Sequence, residues 1–291
     1  MKNRIKYSKI IAGTMTWGSW GKNLSRAEMA ELLGYCVENG ITTFDHADIY
    51  GGYENEQAFG NAFLHSKIPR DQIQLITKCG IQYLCEGRDN KVKHYDYSRD
   101  YIVWSAERSL SKLKTDYLDL FLLHRPSPLM EPDEVAEAIL QLQKEGKIRE
   151  FGVSNFSPSQ IALLSSRVSV SANQVEFSLT ADRPMYDGTF DDCILHKRMA
   201  MAWSPLGSYF RENNRIRKRI KKVIKKLKKK YDANSSQILL AWILKHPSMV
   251  HPVVGTTNKK RLKTSLKAME INLELEDWFL LLVASQGHKV P

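Results

Sequence analysis

Eight short apolar runs alternate with amphipathic stretches along this chain, and that alternation limits the fold more than any other feature. The runs lie at residues 10–13, 41–44, 73–78, 117–123, 149–153, 173–176, 200–203 and 251–254, and each reads as a strand of one parallel sheet. Between them, helical periodicity predicts helices over 26–39, 54–64, 99–113, 132–145, 158–166, 191–197, 215–245 and 259–268, with an interruption near 233–234. Ser25, Ser98, Ser157, Ser235 and Asn258 stand where N-caps belong. Eight strand-then-helix units predict a (β/α)8 TIM barrel, one domain over residues 1–291, with the tail 273–291 as an additional C-terminal helix. A doubly wound sheet is the competing architecture. When it binds a dinucleotide it brings a Gly-x-Gly-x-x-Gly turn after its first strand, and this chain has none. The polar connection 80–94, with Tyr83 and Tyr95 in or beside it, and the segment 206–214 are candidate lids.

Four polar residues sit at or beside the ends of these runs. Asp45 closes the second run and Tyr50 follows it, Lys78 ends the third, and His124 follows the fourth. In a parallel sheet such ends face the crevice where ligands bind. A phenol, an ammonium, a carboxylate and an imidazole gathered there can donate a proton to a carbonyl oxygen, which points to an enzyme. A free phenol has a pKa of roughly 10, and a nearby ammonium favours the phenolate, so Lys78 is expected to lower it. Singly, each residue has an ordinary explanation: a packing tyrosine, a structural ion pair, a loop histidine. Their shared placement at strand exits outweighs those.

Composition narrows the setting. With 43% hydrophobic residues the chain can bury a substantial core. It has no run of about eighteen apolar residues to cross a membrane, and residues 1–6 lack the apolar segment of a signal peptide. Cys36, Cys79, Cys85 and Cys193 fall at unrelated spacings, which fits free thiols in a reducing cytoplasm and no metal site. The net charge of +11 suggests a nucleic-acid or membrane partner until it is located. Residues 214–230 hold eleven basic and no acidic residues, and the remainder balances at 32 of each sign. Ile216, Ile220, Val223, Ile224, Leu227 and Tyr231 recur there at steps of three and four. One helix face therefore packs inward and the lysines form its solvated side. No nucleic acid or membrane partner is expected, and the chain is expected to be a monomer or weak dimer.

At eight segments, in order and spanning almost the whole chain, the sequence resembles the aldo-keto reductases. The segments are 13–18, 44–51, 77–78, 115–124, 152–156, 173–176, 203–207 and 253–257. Among them are Phe44-Asp45-His46-Ala47-Asp48-Ile49-Tyr50-Gly51, Gly152-Val153-Ser154-Asn155-Phe156 and Trp203-Ser204-Pro205-Leu206-Gly207. Residues 124–156 look most like a bacterial subgroup of cytoplasmic oxidoreductases whose substrates are poorly defined. The resemblance implies NADPH-dependent reduction of a small-molecule aldehyde or ketone, with Asp45, Tyr50, Lys78 and His124 as the catalytic set. Tyr50 would be the general acid, Lys78 with Asp45 its tuning pair, and His124 the residue that orients the carbonyl.

The same resemblance implies a cofactor laid across the C-terminal mouth of the barrel. Ser154, Asn155 and Gln174 match the positions that hold the nicotinamide carboxamide, and Phe177 the position of a ring stacked on the nicotinamide. Ser204, Leu206 and Gly207 match the pyrophosphate loop, and Thr256, Thr257, Asn258 and Arg261 the segment around the 2′-phosphate. Gly13, Thr14, Met15 and Asp45 complete the implied cofactor set. Many relatives have a lysine where this chain has Gly255, but Arg261, Lys259 and Lys260 still favour NADPH over NADH. Trp17 and Trp20 fall where the family lines its substrate pocket, with Tyr50, His124 and Arg125; Tyr53 and Tyr209 are rim candidates. A cofactor-sensing regulatory subunit of the same fold is the alternative, and it would have no need of the four catalytic residues.

Overall fold

The computed structural model describes residues 5–290; residues 1–4 and 291, the outermost parts of the expected domain, lie outside the described residues. In chain order the strands are β1 Ile11–Gly13, β2 Thr43–Asp45, β3 Gln74–Cys79, β4 Ile81–Gln82, β5 His94–Tyr95 and β6 Leu118–Leu123. They continue with β7 Ile148–Ser154, β8 Ala172–Glu176, β9 Met199–Trp203 and β10 His251–Val254. The helices are α1 Arg26–Glu38, the one-turn α2 Tyr50–Tyr53, α3 Asn55–Ser66, α4 Arg99–Leu113, α5 Pro132–Lys144 and α6 Pro158–Ser165. Then come α7 Thr189–Leu195, α8 Arg215–Lys230, α9 Ser235–Leu244, α10 Lys259–Lys267 and α11 Leu275–Gln286. All strands except β4 and β5 close into a parallel barrel in the order β1-β10-β9-β8-β7-β6-β3-β2, which is the (β/α)8 fold read from the alternation.

Side chains alternate across a strand, so one residue in two faces the barrel interior. Ile11, Ile76, Leu120, Leu122, Ala172, Met201 and Val253 form that inner core. Gly152 shares it because nothing larger fits: a β-carbon there would lie 2.7 Å from Leu122 Cδ2 and 2.8 Å from the Ala172 carbonyl oxygen. Two residues beyond the inner positions, the same faces reach the mouth. Ile76 leads to Lys78, Leu122 to His124, Gly152 to Ser154, Ala172 to Gln174 and Met201 to Trp203. The pleat itself therefore delivers these groups to one rim. The intervening residues point outward and pack under the helices in two larger clusters, one holding Phe44, Cys79, Phe121 and Phe151, the other Val175, Phe177 and Ala202.

Helix starts follow the expected capping chemistry with one exception. Ser25 and Ser157 close capping boxes with Glu28 and Gln160, and Ser98 and Asn258 cap α4 and α10. The break near 233–234 is real, but α9 is capped by Asn234, with Gln237 as its reciprocal partner, and not by Ser235. In α8 Ile220, Ile224 and Leu227 are buried while Lys221, Lys222, Lys225, Lys226, Lys228 and Lys229 project into solvent. Its ends are tied to α11: Arg219 donates to the Ala284 and Ser285 carbonyl oxygens (both 2.8 Å), and Lys230 pairs with Glu274 and Asp277. α11 is the additional C-terminal helix. No helix among the described residues is long and apolar enough to cross a membrane.

The connection after β3, expected as a lid, carries its own hairpin, β4 paired antiparallel with β5. Tyr97 anchors it, because Gly80 has no β-carbon; one built there would fall 1.9 Å from the Tyr97 ring. Arg88 of the hairpin loop lies 4.0 Å over the Tyr53 ring.

Candidate active site

Lys78 is wholly buried at the barrel mouth, and its ammonium has four oxygen neighbours. It donates to both Asp45 carboxylate oxygens at 2.8 Å and to the His46 carbonyl oxygen at 2.7 Å, and it lies 3.4 Å from the Tyr50 hydroxyl. Burial alone would lower its pKa, but the Asp45 carboxylate and the Tyr50 hydroxyl outweigh that and raise it. Lys78 is thus a fixed cation. Gln174 Nε2 donates to Asp45 Oδ1 at 2.8 Å, so the carboxylate is held from a second side.

Tyr50 begins α2, where Gly51 and Gly52 take φ of 62° and 67°. That left-handed turn favours glycine, and it swings the phenol back over the mouth. The Tyr50 ring stands edge-on to His124 at 6.0 Å and lies 6.1 Å from Trp20. Its pKa is raised, not lowered as expected: burial dominates, and Asp45 offsets part of the Lys78 ammonium's pull toward phenolate. The hydroxyl is therefore held in its un-ionised, proton-donating form. His124 is pushed well below the usual histidine range by burial, then by Lys78, Arg125 and Lys93. It is a neutral imidazole, and its Nδ1 is buried without a partner among the described residues.

A second set frames the mouth. Ser154 Oγ donates to the Gln174 carbonyl oxygen at 2.9 Å, and Asn155 Nδ2 donates to Ser154 Oγ at 2.8 Å. Asn155 Oδ1 accepts from Trp203 Nε1 at 2.9 Å, which locks the indole in place. Of the groups expected at the carboxamide, Ser154 and Asn155 come together here, while the Gln174 amide is engaged by Asp45. Gly207 needs its bare backbone, since a β-carbon would lie 2.1 Å from Thr180 Oγ1. Arg261, in the first turn of α10, is exposed with no acidic partner among the described residues, and Thr256, Thr257 and Asn258 lead into it. Lys259 pairs with Glu31.

Several expected site residues lie elsewhere. Trp17 is fully buried: after β1 its backbone N–H donates to the Thr14 carbonyl oxygen (2.9 Å), and its ring packs on Phe44 and Phe59 at 6.0 and 6.1 Å. It supports the core and lines no pocket. Phe177 is also fully buried, against Phe190 and Trp242 at 4.7 and 5.4 Å, because its position in the pleat faces the helices. The aromatic face at the mouth is that of Trp203, two residues beyond inward-facing Met201, a placement that strand alternation encodes. Thr14 is buried too, its Oγ1 donating to the Asp45 carbonyl oxygen at 2.9 Å, so its side chain organises the rim from behind. Tyr53 and Tyr209 are buried rather than at the rim. Met15 and Trp20 are exposed, and Trp20 meets Tyr83 of the hairpin segment at 5.4 Å.

His46 adds a pH dependence. Its Nδ1 lies 2.9 Å from Thr14 Oγ1, and burial, then the Lys78 charge, push it down to about 3. A base held neutral in the fold but protonated at roughly 6.5 when unfolded costs stability as pH falls below 6.5, with nothing lost above it. This group should remove about 2 kcal/mol between pH 6.5 and 5. Urea midpoints for wild type and His46→Gln over that range check it; identical slopes would contradict it.

Among the described residues no cluster of three or more His, Cys, Asp or Glu could hold a metal, and Cys36, Cys79, Cys85 and Cys193 are free thiols. The model of the aldo/keto reductase family matches residues 9–281. The chain is 39% identical to the uncharacterized oxidoreductase YcsN of Bacillus subtilis (strain 168), over 99% of this chain and 97% of that one. It is 34% identical to a 6-dehydroglucose reductase of Agrobacterium fabrum (strain C58 / ATCC 33970), over 100% and 98%. Among solved structures, the thermostable aldo-keto reductase Tm1743, crystallised with the inhibitor epalrestat, superposes with a TM-score of 0.83 at 27% identity, covering 97% of both chains. Barrel, mouth and sequence agree: this chain belongs to the aldo/keto reductase family and is an oxidoreductase that acts on carbonyl groups.

Proposed function

We propose that the protein reduces an aldehyde or ketone with NADPH, and that Tyr50 gives the proton to the carbonyl oxygen. One observation carries this: a buried, carboxylate-clamped ammonium 3.4 Å from a phenol that stands edge-on to a neutral imidazole. The mouth fits a nicotinamide dinucleotide. Trp203 offers a fixed flat face, the Ser154–Asn155 pair offers polar groups, and Gly255 leaves open space. When bound, NADPH supplies the hydride.

The chain's own residues do the rest. Burial keeps Tyr50 protonated, so the donor is in the right state before reaction. As the proton leaves, the phenolate that forms lies beside the Lys78 ammonium, an attraction that is strongest in the transition state. Asp45 keeps that ammonium charged and in place. His124, neutral, donates an N–H to the carbonyl oxygen and fixes its direction without bringing a competing charge.

Arg261 carries the cofactor preference. The segment 255–268 contains no acidic residue to take a free ribose hydroxyl, and Arg261 presents a fork suited to a phosphate, without an acidic partner among the described residues. Charge-assisted hydrogen bonds contribute about 1.5–3 kcal/mol. Arg261→Ala should therefore weaken NADPH binding about 10–100-fold and NADH binding far less. Equal weakening of the two, measured by fluorescence titration, would remove the assignment. Oxidation of NADPH on adding 4-nitrobenzaldehyde tests the activity itself.

A further inference from the structure

Arg125 follows the catalytic imidazole in sequence and is held unusually firmly for a rim arginine. Tyr97 Oη donates to the Arg125 carbonyl oxygen at 2.5 Å and accepts the Arg125 N–H at 3.1 Å. Tyr97 is itself buried and wedged against Gly80. The guanidinium lies 5.3 Å from the centre of the Trp203 ring, whose Nε1 is tied to Asn155. The backbone is thus held by a buried tyrosine, and the side chain lies against a half-buried indole fixed by its own hydrogen bond. Yet Arg125, half-buried as a residue, has no carboxylate or carbonyl partner for its guanidinium among the described residues.

The charges around it deepen the imbalance. Lys78 and Lys93 act on His124 as cations together with Arg125. Asp45 is occupied by Lys78 and Gln174, and Glu176, which pairs with Trp203 in strand register, makes no ion pair with Arg125. A partly desolvated cation left unpaired is costly, and a planar oxyanion meets its fork with two parallel hydrogen bonds. A neutral substrate leaves that cost standing. An anionic one removes it.

We propose that Arg125 makes the site selective for carbonyl compounds that carry a second, anionic group, a carboxylate or a phosphate. The inference rests on the reductase reading above for its reaction and on Arg125 alone for its selectivity. Tyr50 and His124 take the carbonyl end, and the Trp20–Tyr83 pair flanks the body of the substrate.

The test pairs each acid with a neutral counterpart: 4-carboxybenzaldehyde with methyl 4-formylbenzoate, and glyceraldehyde 3-phosphate with glyceraldehyde. Wild type should favour the anionic member in kcat/KM by about 10-fold or more, chiefly through KM. Arg125→Gln should bring that ratio close to one, and Arg125→Lys should retain part of it. Preference in one pair only names carboxylate or phosphate as the group read. No preference in either pair, or a loss in Arg125→Gln that falls equally on both members, overturns the proposal. Binding of the same compounds is followed separately by tryptophan fluorescence. If no aldehyde oxidises NADPH but the acids still bind in an Arg125-dependent way, the reductase reading fails and the anion site stands. Acids that bind no better than their neutral counterparts overturn the anion site whatever the turnover.

Discussion

Replacing Tyr50 by Phe should lower carbonyl reduction by about 10²–10⁴-fold while leaving NADPH affinity unchanged. The substitution removes one oxygen and keeps the ring, so the contacts to Trp20 and His124 survive and the mouth keeps its shape. What disappears is, among the described residues, the only hydroxyl hydrogen-bonded to the Lys78 ammonium. The un-ionised phenol also fixes the pH profile of the wild type. Because burial raises its pKa above the ordinary value of roughly 10, reduction should stay level through neutral pH and fall only in the alkaline range. Full turnover of 4-nitrobenzaldehyde by Tyr50→Phe would mean that the proton comes from elsewhere.

Lys78→Met should be both inactive and markedly unstable. It leaves the Asp45 carboxylate buried, with Gln174 Nε2 as its remaining side-chain donor. Breaking a buried ion pair from one side costs about 3–5 kcal/mol, because the surviving charge keeps its desolvation penalty. Adding Asp45→Asn removes that charge and should recover most of the stability without recovering activity. Urea denaturation of the two variants separates these effects. A single variant as stable as wild type would show that the pair is solvated and that its geometry is not held by need of charge balance.

Much of this was legible in the sequence because buried parallel strands are short, apolar and bounded, and the barrel strands stand within about two residues of where the runs put them. Asp45, Tyr50, Lys78 and His124 were found by their position at run ends, and the structure brings them together. The losses came where facing, not order, decides. Phe177 and Trp203 each stand at or just past a strand end, but Phe177 shares the outward face with Val175, whereas Trp203 shares the inward face with Met201. Counting in twos from the inner core would have separated them. Trp17 lies beyond a strand, where the chain doubles back through a turn whose direction no periodicity encodes. The sign of the Tyr50 shift was beyond reach for another reason: it is a balance between burial and two opposing charges, and neither depth nor distance is written in residue order.

The lysine face of α8 has a consequence for how molecules meet. Nearly all the surplus positive charge sits on one flank, secured to the body by α11, so the protein is electrically lopsided rather than evenly basic. Two copies approaching through that flank repel each other across roughly 10 Å at 0.1 M salt. Any self-association must therefore use another side of the barrel, and on a negatively charged resin the molecule should adsorb in one preferred orientation, α8 downward.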